Sequence, residues 1–103
     1  MKLLHITFRF EFADAVQRIL ERHDIHRFVR WPMIEGEDRD GRAYGTKVYP
    51  GSVTVVNARV PDEKVEAVLD DLQQFRMERE AHRHLEALVL PVERRLSDKD
   101  AGG

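Results

Sequence analysis

The sequence has no cysteine, which rules out disulfides and thiolate metal sites. No apolar run approaches the ~18 residues of a membrane-spanning helix. The opening MKLLHITFRFEF alternates polar and apolar residues and has no signal-peptide hydrophobic block, so the expected location is cytoplasmic and not membrane-embedded. An excess of one charge is also missing: 17 basic residues against 19 acidic ones leave a net charge of -2. Nucleic-acid binding needs clustered cations on a basic domain, so that partner class is excluded. Charged residues nevertheless make up 35% of the chain, above the usual ~25%, which fits a solvated surface of interspersed signs.

What is present suits one domain of 103 residues with a core drawn from 42% hydrophobic residues. Leu4, Ile6, Phe8, Phe10 and Phe12 alternate with Leu3, His5, Thr7, Arg9 and Glu11, which predicts a strand over 2–12 with one buried face. Over 13–23 the period becomes helical, with Val16, Ile19, Leu20 and His23 on one side and Asp14 in the first turn. Ile25, Phe28, Val29, Trp31, Met33 and Ile34 predict a second strand, at an edge or interrupted at Pro32, which cannot donate a ladder hydrogen bond. Phe28 and Trp31 are candidates for a contact with a partner or a second subunit, and equally for core packing.

Residues 35–52 form a long loop with turn signals at Asp40-Gly41 and Pro50-Gly51. Loops this long within a small domain are usually functional. A third strand follows over 53–60. Pro61-Asp62-Glu63 then opens a second helix, whose apolar face is Val65, Val68, Leu69, Leu72 and Phe75. A fourth strand is predicted over 84–93, with both faces covered. The domain thus spans 1–93, and a disordered tail covers 94–103. Strand–helix–strand twice over is the ferredoxin-like βαββαβ order, an α+β fold with a four-stranded antiparallel sheet and two helices on one face. That arrangement leaves Leu3, His5, Thr7 and Arg9 on an uncovered face. In a symmetric oligomer, His5 or Arg9 would be repeated into a ring of donors for an anion, a metal or water.

GTKVYPGS, VPDEKVEAVLDDL and LEALVLPVE together resemble the PII-like proteins. A small subgroup of these has Gly-Thr-x-Val-(Trp or Tyr)-Pro-Gly in the connecting loop, and the CutA cation-tolerance proteins have similar architecture. The resemblance implies a homotrimer with ligand sites in the clefts between subunits and a mobile loop between the second and third strands. It also implies a regulatory role in signal transduction, sensing an adenine nucleotide or other small molecule and acting on a membrane transporter or an enzyme. A CutA-like divalent-metal-binding protein is the alternative. The sequence departs from regular PII proteins in its shorter loop and in EREAHRH, which lacks the glycine- and lysine-containing turn that contacts nucleotide phosphates.

The candidate ligand-binding residues lie in the loop: Gly36, Arg39, Arg42, Tyr44, Gly45, Thr46, Lys47, Tyr49 and Gly51. Gly45 and Gly51 allow backbone amides to approach a ligand, and the segment from Tyr44 to Gly51 reads equally as a structural turn before the third strand. Arg39, Arg42 and Lys47 suit phosphate or an acidic partner, with Glu35, Glu37, Asp38 and Asp40 offsetting their field. Tyr49 occupies a place resembling the modified loop tyrosine of PII, although Pro50 follows it. Of the five histidines, His82 and His84 would share a face of an extended strand and offer two nitrogens to a metal. The only serines are Ser52 and Ser97, and no Walker loop or dinucleotide fingerprint is present, so the expectation is a binding protein and not an enzyme.

Overall fold

A computed structural model describes residues 1–34 and 53–96, with the side chains of 32–34 left aside. The nine candidate ligand residues between Gly36 and Gly51 therefore lie outside the described residues, as does most of the tail. The strands are β1 (Lys2–Arg9), β2 (Phe28–Ile34), β3 (Val53–Val60) and β4 (Glu86–Pro91), and the α-helices are α1 (Ala13–Arg22) and α2 (Val65–Glu78). The sheet order is β2-β3-β1-β4 with every neighbouring pair antiparallel, the ferredoxin-like topology.

Leu4, Ile6 and Phe8 of β1, with Val56, Ala58 and Val60 of β3, form the sheet side of the core. Val16, Ile19 and Leu20 of α1 and Val65, Val68, Leu72 and Phe75 of α2 close it from above. Fully burying a side chain of this size stabilises by about 1.5–3 kcal/mol, so this shared layer is the main source of the fold's stability.

The first strand is shorter than its alternation predicts. It ends at Arg9, and Phe10–Phe12 form a 3₁₀ turn in which the Ala13 N–H donates to the Phe10 carbonyl. β1 passes into α1 with no linker, so the reversal must use these residues, and it rotates them out of the strand's period. Phe10 is consequently exposed, and Phe12 packs only at the core's margin.

The second strand begins late for a related reason. At the end of α1 the Asp24 N–H donates to the Glu21 carbonyl (2.9 Å), and the Ile25 N–H donates to the Leu20 carbonyl (2.9 Å). Asp24 has φ 60, so this is a Schellman cap with Asp in the left-handed position usually given to glycine. Ile25 buries itself as the cap's apolar partner, and pairing starts at Phe28. β2 is an edge strand, and its register with β3 shifts between Trp31 and Ile34, around Pro32.

The stretch before β4 differs most from expectation. Glu80–His84 form a 3₁₀ helix, and β4 starts only at Glu86. A 3₁₀ helix turns 120° per residue, so His82 and His84, two apart, do not share a face as they would on a strand. β4 is also not covered on both sides within one chain, since Leu88 and Leu90 are exposed.

Candidate functional site

Strand register assigns each side chain to one of the sheet's two faces, because directly paired residues point the same way. Pairing of Leu4 with Ala58 and of Ile6 with Val56 places those residues under the helices. The intervening residues form the open face. One row crosses all four strands: Val29 opposite Asn57, Asn57 opposite His5, and His5 opposite Leu88. The row on one side of it runs Trp31, Val55, Thr7, Glu86, and on the other side Arg59, Leu3 and Leu90 align.

This face has exposed apolar residues at both margins and a polar pair at its middle, while Val53 and Val55, on the same face toward the 35–52 corner, are buried within the chain. Val29 is 56% exposed and Trp31 47% on the β2 side; Leu88 is 50% and Leu90 43% on the β4 side. At the centre the His5 Nδ1 lies 2.8 Å from the Asn57 Oδ1. Asn57 was not singled out from sequence. Its signal is an amide inside an otherwise apolar VTVVNARV strand, a residue type that strands disfavour. Of the two aromatic residues weighed as partner contacts, Phe28 packs on the core and Trp31 lies on the open face.

One corner of this face forms the base of the 35–52 segment. Val53 pairs with Arg9 of β1 and with Ile34 of β2, so the segment leaves and re-enters the sheet beside Arg9. The Arg9 Nη2 is 2.7 Å from the Glu11 carboxylate, while its Nε is buried without a hydrogen-bond partner. A buried donor left unmade costs about 1–3 kcal/mol.

His82 belongs to the core. It is 5% exposed, its ring stacks on Phe75 with centroids 3.8 Å apart, and Phe12 meets it edge-on at 4.6 Å. The Nδ1–H donates to the Phe75 carbonyl at 2.7 Å, which ties the turn before β4 to the last turns of α2. His23 bonds Asp71 at 2.6 Å, linking α1 to α2, and His26 bonds Asp24 at 2.7 Å. Among the described residues no three His, Cys, Asp or Glu side chains of one chain converge as a metal site. At the far end of the sheet, the hydrogen bond from the N-terminal ammonium to Asp62 (2.8 Å) holds that carboxyl below its ordinary range.

Strand order and helix placement together define the ferredoxin-like fold. The nitrogen regulatory PII-like protein CPII from Thiomonas intermedia K12, solved with ADP, AMP and bicarbonate, matches with TM-score 0.68 and 22% identity, over 86% of this chain and 88% of that one. The apo form of CPII matches with TM-score 0.61 and 20% identity, over 87% and 92%. A Thermus thermophilus protein assigned to PII-like signalling matches with TM-score 0.60 and 16% identity, over 85% and 82%. No protein-family model and no curated protein matches the sequence. The chain therefore has the PII-like fold. Among the described residues no helix is long and apolar enough to cross a membrane.

Proposed function

We propose that this chain is a PII-like regulatory protein. It assembles as a homotrimer through the open sheet face, binds a small molecule or ion in the clefts between subunits, and acts on a target protein through residues 35–52. The observation that carries this reading is the match to CPII over nearly the whole of both chains, because that protein was solved with two adenine nucleotides and bicarbonate. Two features support it. The open face exposes apolar residues at both margins, as a surface covered by copies of itself would. The base of the 35–52 segment also lies beside Arg9, whose unpartnered Nε suits a carboxylate, carbonate or phosphate oxygen.

Ligand binding at the loop base would favour one arrangement of the loop over others, and a target protein would distinguish them. The candidate residues Arg39, Arg42, Tyr44 and Lys47 would then act from the loop and Arg9 from the sheet. The test is isothermal titration of the full chain with ADP, AMP and bicarbonate, singly and in pairs. Saturable binding of a nucleotide, weakened at least tenfold by Arg9→Ala, supports the reading. No heat with any of the three contradicts it.

A further inference from the structure

We infer that His5, oriented by Asn57, is the protein ligand of a transition-metal site formed by three copies of this chain on their common axis. The inference rests on the trimeric reading proposed above. Its basis is the position and chemistry of one residue pair.

His5 is the fourth residue of the eight in β1, and Asn57 is the fifth of the eight in β3. Those are the two inner strands, so the pair sits at the middle of the open face along both of its dimensions. The row through the pair ends in Val29 at one margin and Leu88 at the other, both about half exposed. A closed ring of three such faces buries its apolar margins against neighbouring copies, β2 side to β4 side. The middle of each face then points to the axis. The ionic groups of the face, Arg9, Arg59 and Glu86, lie in other rows, and Arg9 is already paired with Glu11. None of them occupies the central row.

The hydrogen bond fixes the tautomer. The Asn57 Oδ1 can only accept, so the His5 Nδ1 carries the proton and Nε2 of the neutral ring keeps its lone pair. Orientation of a ligating imidazole by a hydrogen bond from its other nitrogen is the usual support of a metal-binding histidine. Three such nitrogens about an axis, with a fourth position open, suit Zn²⁺, Co²⁺, Ni²⁺ or Cu²⁺. His23, His26 and His82 are engaged with Asp71, Asp24 and the Phe75 carbonyl, and no single chain assembles three such ligands among the described residues. The site is incomplete without the other two copies.

The experiment is titration of the full chain with Co²⁺, read by visible d–d absorption and native mass spectrometry. The expected result is one Co²⁺ per three chains with a four-coordinate spectrum. His5→Gln should remove the ion while keeping the trimer mass, and Asn57→Ala should weaken binding about 10–100-fold. His26→Gln should leave binding unchanged. A trimer that takes up no stoichiometric Co²⁺, or a His5→Gln trimer that keeps it, overturns the site and leaves the regulatory reading standing. A chain that is monomeric with and without Co²⁺ overturns both.

Discussion

The two faces of this sheet are made by alternate residues of the same strands, yet they follow different rules. On the helix face Leu4, Ile6, Phe8, Val56 and Ala58 are sealed within one chain, and their contribution depends on packing alone. On the open face His5, Asn57, Trp31 and Leu88 remain half-covered and mix polar with apolar chemistry. A face needed only for stability would be apolar if covered or polar if wet. One that is neither is suited to meeting something else, which under the proposed function is a second copy of the same surface.

The largest effect should come from the helix face. Phe8→Ala is expected to destabilise the fold by about 3–5 kcal/mol, through lost burial and a residual cavity, seen as a lower urea midpoint. Its counterpart on the open face is Trp31→Ala. This change should leave the unfolding of the separated chain nearly unaltered while weakening association about thirtyfold, the equivalent of about 2 kcal/mol for an interface aromatic, read by sedimentation across concentrations. If the two substitutions had similar effects on chain stability, the distinction between the faces would fail.

Two smaller changes sharpen the account of the covered side. His82→Phe keeps the stack on Phe75 but leaves the Phe75 carbonyl without its partner, so thermal unfolding should show a loss of about 1–2 kcal/mol. Thr54 is fully buried on the helix face, opposite Phe8, and its Oγ1 has no hydrogen-bond partner. Thr54→Val removes that unmet polar group at nearly constant volume. It should raise stability by about 1 kcal/mol, or a few degrees in Tm.

Much of the covered side was legible in the sequence because it depends on local period. The expected limits of β3 coincide with the observed ones, and all five residues assigned to the apolar face of α2 are buried or packed against the core. The limits of β1 and β2 were not, because the 3₁₀ turn at Phe10–Phe12 and the Schellman cap at Asp24 answer to chain reversal and not to hydrophobic alternation. The pairing of His82 with His84 on one face required an extended chain, and nothing local distinguishes a 3₁₀ turn from the approach to β4. The open face was only half legible. His5 was identifiable as facing away from the helices, but its partner Asn57 is 52 positions distant, and only the β1–β3 register brings the two together. The loop residues from Gly36 to Gly51 stand as candidates on sequence alone, and the structure adds the corner from which their segment departs.

The central claim is that the open face exists to be covered by other copies of the chain. The most direct test is the mass of this chain in solution at micromolar concentration, by size-exclusion chromatography with light scattering. The account predicts three times the 12.1 kDa chain mass. A single species at 12.1 kDa would contradict it.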